Sequence, residues 1–149
     1  MDNPNHATLY LGNKAENVSL ARVLVAAFIS PLEPTLDILS DIQTAVSEAV
    51  TNAIIHGYAN LPDTHEVCME LLLTGRTLQI KITDQGVGID NIEDARQPLF
   101  TTKPELERSG LGFTVMEGFM DSVEVESTPG RGTCVVMQKN IPIATERPA

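Results

Sequence analysis

Leu39, Ile42, Val46, Ala49, Val50 and Ala53 recur at helical spacing, which predicts a helix with one apolar face running up to Gly57. Pro34-Thr35 supplies its start, and Gly57 is placed to be the left-handed residue at its end. One flank of this face carries Glu48, Asn52 and His56, spaced i, i+4, i+8. At a rise of about 1.5 Å per residue, that spacing stacks the three side chains along one side of the helix. An acid, an amide and an imidazole in line suit a site that holds a metal ion, a phosphate chain and a reacting hydroxyl together. They are also what an ordinary solvated flank beside a core stripe looks like.

A shorter helix comes before this one. Val18, Ala21, Val25, Phe28 and Ile29 repeat helically between Glu16 and Ser30, and Pro31 and Pro34 close it. Ala7 to Gly12 alternates weakly and fits an edge strand. Residues 66–73 and 77–83 read as strands of a hairpin, with Gly75 in the short turn between them. Residues 84–112 are rich in glycine, proline, charge and threonine, with a brief helical stretch near Ile92 to Arg96. A loop this long in a compact domain is usually functional or disordered. A helix from Gly112 to Phe119 follows, then strands near 122–127 and 133–139 joined by Thr128-Pro129-Gly130-Arg131-Gly132. Pro142 onward reads as a frayed tail. With no repeat and no interdomain linker, residues 1–149 are read as a single α+β domain, helices on one face of a largely antiparallel sheet.

Charge narrows the partners. Twenty acidic against ten basic residues give a net charge of -10, with no Lys/Arg run to offset it, which argues against direct nucleic-acid binding. A polyphosphate would be repelled too, unless a metal ion and a few placed cations neutralised it. Cys68 and Cys134 stand far apart in alternating apolar stretches, outside any C-x-x-C pair, and are expected to be buried free thiols of a reducing compartment. The polar start Met1-Asp2-Asn3-Pro4-Asn5-His6 is unlike a signal peptide, and the apolar run Val23 to Ile29 is too short to span a bilayer. A cytoplasmic protein without a membrane partner is expected.

Three further segments carry chemistry. Asp84-Gln85-Gly86-Val87-Gly88 follows a strand directly. Its aspartate can accept from an exocyclic amine such as that of adenine, and its glycines let a flat ring approach the backbone. Alone, the same residues make an ordinary turn. Ser109-Gly110-Leu111-Gly112-Phe113 falls where loop becomes helix, so its free N–H groups could face phosphate oxygens. It matches neither the P-loop nor the Rossmann pattern. The intervening loop offers the hydroxyls of Thr101 and Thr102 and the cations Lys103 and Arg108, the local counter-charges a phosphate chain needs in an acidic protein. Finally, Gly132-Thr133 opens the last strand, where the Thr133 hydroxyl could support an adenine contact.

In this order the motifs resemble the GHKL ATP-binding family, the Bergerat-type nucleotide fold shared by gyrase, histidine kinases and MutL. Asn52 with Glu48 looks like its N box, Asp84-x-Gly86-x-Gly88 its G1 box and Gly110-x-Gly112 its G2 box. Within it, Asn52-Ala-Ile-Ile-His56-Gly-Tyr58 and the run from Pro98 to Gly110 resemble serine kinases that double as anti-sigma factors. The resemblance implies a two-layer GHKL sandwich, ATP/ADP and Mg²⁺ as cofactors, and Asn52 as the Mg²⁺ ligand. It implies Glu48 as the catalytic residue that orients or deprotonates a partner's serine, and Asp84, Gly86, Gly88 and Thr133 around adenine. Thr101, Thr102, Lys103, Arg108 and Ser109 would form a lid over the phosphates, with Gly110, Leu111 and Gly112 beneath, and Arg108 gripping the γ-phosphate. His56 is left between seating the phosphates and a structural role.

The implied partners are a sporulation sigma factor of the sigma F type, an anti-anti-sigma protein as kinase substrate, and a second copy in a homodimer. Arg22, a lone cation on the first helix, is offered as a partner contact. The competing reading is a nucleotide-dependent anti-sigma module without kinase activity. A histidine kinase would need a phosphoacceptor helix, and a gyrase- or MutL-like ATPase a transducer domain, for which 149 residues leave no room.

Overall fold

Thr35 opens the central helix: its backbone is extended and its hydroxyl accepts from the Ile38 N–H at 3.3 Å, satisfying one of the donors a helix start leaves open. The computed structural model, which describes residues 4–57, 65–89, 92 and 112–144, runs this helix, α2, from Leu36 to Thr51. Ile42, Ala45, Val46, Ala49 and Val50 form its buried stripe. Before it, α1 (Asn17–Ile29) packs against α2 and buries Ala21, Val25 and Ile29. Pro31 falls in a 3-10 turn, Ser30–Leu32, that finishes α1 where the absent N–H is tolerated. The helix α3 (Gly112–Phe119) packs on α2 from the far end of the chain and buries Phe113 and Met116.

The strands β1 (Asn5–Gly12), β2 (Glu66–Thr74), β3 (Thr77–Asp84), β4 (Ser122–Thr128) and β5 (Gly132–Asn140) form a five-stranded sheet in the order β1-β2-β3-β5-β4. Every neighbouring pair is antiparallel, and β1 is an edge strand as its weak alternation predicts. Strict alternation sorts the two faces. Leu78, Ile80 and Ile82 of β3 are buried with Met69, Leu71, Val135 and Met137, while Gln79, Lys81 and Thr83 face away. Among the described residues, α1, α2 and α3 cover that inner face, the α+β arrangement the sequence predicts.

Two expectations change. The α-helix does not continue to Gly57: it stops at Thr51, and Asn52–Gly57 forms a π-helical turn with a different twist. Glu48 and Asn52 stay about a turn apart, but His56 lies beyond the break, and Gly57 ends the π-turn instead of capping an α-helix. Cys68 and Cys134 are free but only half-buried. Both pair with Thr83, one from each side, and so share its outward face of the sheet. Of the short helix expected near 92–96, only Ile92 is among the described residues, and it is helical.

Candidate nucleotide site

Asp84 ends β3 on the inner face and is 6% exposed. The Gly86 N–H donates to its Oδ1 at 2.9 Å. Burial pushes the carboxyl up to about 6, against the backbone N–H groups of Gly86 and Thr133, which favour the charged form. Two such donors leave lone pairs on the carboxylate for a ligand's N–H. Thr133 pairs with Asp84 across β3 and β5, so the two side chains leave the same face of the sheet.

The segment after Asp84 is locked onto the β4–β5 turn. Gly88 has φ +77°, and a Cβ there would overlap the Thr128 carbonyl oxygen. Gly132 has φ +98°, and a Cβ there would overlap the Asp84 carbonyl oxygen. The Gly130 N–H donates to the Val87 carbonyl at 2.7 Å. The Ile89 N–H donates to Ser127 Oγ at 2.7 Å, and the same hydroxyl lies 3.0 Å from the Gly132 carbonyl and 2.8 Å from Thr133 Oγ1. Sequence reasoning passed over Ser127. The signal was available: Val123, Val125 and Ser127 take alternate, half-buried positions of β4, and a hydroxyl on the inner side of a strand needs partners.

A second group of residues is helical. Glu48 and Asn52 are half-buried at the end of α2, and Gly112, buried, begins α3 against them. A Cβ on Gly112 would come within 3.1 Å of Asn52 Nδ2 and 3.3 Å of Glu48 Oε2. The π-turn that follows packs on β3 and β5, the strands that carry Asp84 and Thr133. The side chains fit a magnesium ion: Asn52 offers a neutral amide oxygen beside a carboxylate, and Mg²⁺ takes one or two protein oxygens with waters and substrate phosphates.

The structure places the described site residues in two groups: Glu48 and Asn52 against Gly112, and Asp84, Gly86, Gly88 and Thr133 around the end of β3 and the β4–β5 turn. His56 has its backbone in the π-turn, with its side chain outside the description; Thr101, Thr102, Lys103, Arg108, Ser109, Gly110 and Leu111 lie outside the described residues. Arg22 has an internal use. Its Nη1 donates to Ser47 Oγ at 2.8 Å and its carbonyl accepts from Gln43 Nε2 at 3.2 Å, tying α1 to α2.

The histidine kinase-like ATPase domain family matches residues 11–139, and the chain belongs to that family. Among curated relatives, the anti-sigma F factor of Oceanobacillus iheyensis is 55% identical over 137 residues, covering 92% of this chain and 93% of that protein. The anti-sigma F factor of Clostridium kluyveri is 58% identical over 127 residues, covering 85% of this chain and 88% of that protein. Among solved structures, one of the RsbU and RsbW domains of a Mycobacterium tuberculosis protein has a TM-score of 0.65 at 18% identity, covering 93% of this chain and 32% of that one. The histidine kinase domain of a blue-light activated histidine kinase from Erythrobacter litoralis has a TM-score of 0.52 at 21% identity, covering 70% of this chain and 45% of that one. At these identities the structural likeness speaks to the fold alone, and the fold is the GHKL-like sandwich the motifs imply.

Proposed function

We propose that this chain is an anti-sigma factor of the sigma F type that is also an ATP-dependent serine kinase. In this reading it holds a sporulation sigma factor, and it phosphorylates and so inactivates the anti-anti-sigma protein that competes for it. The observation that carries the kinase half is the meeting of Gly112 with Glu48 and Asn52 where α2 gives way to the π-turn. The names of the curated relatives support the anti-sigma half.

Each side chain has a task its chemistry suits. The Asp84 carboxylate accepts from the exocyclic amine of adenine, while Gly86 and Gly88 let the ring lie close and Thr133 lines the same pocket. Asn52 would hold Mg²⁺, which when bound would supply charge neutralisation at the phosphates. Glu48 aligns the partner's serine hydroxyl and takes up its proton; phosphoryl transfer depends mostly on such positioning. Thr101, Thr102, Lys103, Arg108, Ser109, Gly110 and Leu111 enclose the phosphates and supply the cations that a chain of net charge -10 otherwise lacks there. The protein works in the cytoplasm as a homodimer.

Incubating the protein with labelled ATP and an anti-anti-sigma protein tests the reading. Label on a serine of the partner is expected. ATP retention and sigma-factor capture with no phosphoserine would reduce the chain to a nucleotide-dependent binding module.

A further inference from the structure

The Ser127 hydroxyl is the hub that joins the loop after Asp84 to the strand opposite. A serine hydroxyl has one proton to give and two lone pairs with which to receive. The Ile89 N–H occupies one lone pair at 2.7 Å, and the Gly132 carbonyl takes the proton at 3.0 Å. The 2.8 Å contact with Thr133 Oγ1 must then use the second lone pair, with Thr133 donating. The reverse assignment would leave Ser127 Oγ and the Gly132 oxygen facing each other with no proton between them, two acceptors in contact. Only one arrangement satisfies all three neighbours, and it commits the Thr133 proton to Ser127.

We propose that Ser127 sets the purine preference of the pocket by fixing the Thr133 hydroxyl as a pure acceptor. This rests on the reading that Asp84 and Thr133 face the base. With its proton committed, Thr133 Oγ1 offers the pocket only lone pairs, as does the Asp84 carboxylate beside it on the same face. A wall of acceptors matches the two N–H donors of a 6-amino purine. It opposes the 6-oxo group of hypoxanthine or guanine, which is itself an acceptor. A freely rotating threonine could turn its proton toward that oxygen and would tolerate either base. Ser127 is in this sense a positioning residue: it acts on the base through Thr133 and touches no phosphate or reacting atom.

Titration calorimetry with Mg-ATP and Mg-ITP tests the idea, since inosine replaces the 6-amino group by oxygen and protonates N1. The wild-type protein is expected to prefer ATP strongly. Ser127→Ala should lower the ATP-over-ITP preference about tenfold, the loss of one oriented hydrogen bond. Ser127→Thr, which keeps the hydroxyl, should restore the preference. Thr133→Val removes the acceptor itself while keeping the shape; it should lower the preference similarly, and adding Ser127→Ala to it should change nothing more. Asp84→Asn is measured alongside. If Asp84→Asn loses ATP but Ser127→Ala and Thr133→Val keep the wild-type ratio, the role of Ser127 is wrong and the pocket stands. If Asp84→Asn binds ATP normally, the pocket reading falls and this one with it.

Discussion

The two walls of the candidate pocket are built by opposite means. At the sheet end, position is over-determined by backbone: Gly88 and Gly132 lie against carbonyls where no side chain fits, and the Ser127 hydroxyl links Ile89, Gly132 and Thr133. At the helical end, Glu48 and Asn52 project from the last turn of α2 toward Gly112, just where the helix gives way to a π-turn. Recognition of a flat base gains from a wall that cannot adjust. Chemistry on a phosphate chain needs side chains that reach, and a helix end supplies them.

Substitutions should therefore behave differently at the two ends. The largest effect is expected for Gly132→Ala, which forces a Cβ into the Asp84 carbonyl at φ +98°. A loss on the order of 3 kcal/mol or more in chemical denaturation should accompany loss of nucleotide binding. Near-wild-type stability for Gly132→Ala would show the sheet end to be pliable. Asp84→Asn comes next: ATP affinity should fall at least about a hundredfold, because a buried acceptor is replaced by an amide. The same change should raise the melting temperature of the nucleotide-free protein at pH 7 by about 3–6 °C, since the cost of a buried charge disappears.

The pH dependence follows from the same group. The folded-state value of Asp84, about 6, lies above its ordinary 3.8. The folded protein therefore binds more protons between those values, and the stability this gives is full below 3.8 and lost as pH rises through about 6. In the proposed reading ATP binds the carboxylate form of Asp84, so ATP affinity should rise over the same interval. Denaturation and binding measured from pH 4 to 7 should thus slope in opposite directions for the wild type, and Asp84→Asn should flatten both.

A smaller effect is expected for Gly112→Ala. The added methyl meets side chains that can give, at 3.1–3.3 Å, and alanine favours a helix. Stability and ATP binding should stay near wild type, while phosphoryl transfer drops about tenfold as Glu48 and Asn52 shift.

What could be read from the chain divides along the same line. The stripe from Leu39 to Ala53, the two hairpins and the place of Asp84 beside a glycine turn all express short-range periodicity and turn chemistry, and the fold repeats them. The π-turn was not legible, because nothing in Asn52-Ala-Ile-Ile-His56-Gly57 forbids an ordinary helix; packing on β3 and β5 accompanies the change. The outward placement of Cys68 was legible from Glu70 two residues on, yet Val67 and Met69 make the run look apolar throughout. Cys134 misleads in the other direction: Thr133 turns inward because it pairs with Asp84, which leaves the cysteine outside. Ser127 depends on contacts with residues 89 and 132–133, joined only once the sheet is assembled.

Glu48→Gln, measured for both ATP affinity and phosphate transfer to an anti-anti-sigma protein, tests most directly whether the helical wall does the chemistry and the sheet end the binding. The variant should bind Mg-ATP as tightly as the wild type and transfer phosphate at least about a hundredfold more slowly. Transfer at the wild-type rate would remove Glu48 from the reaction and contradict the division of labour between the two walls.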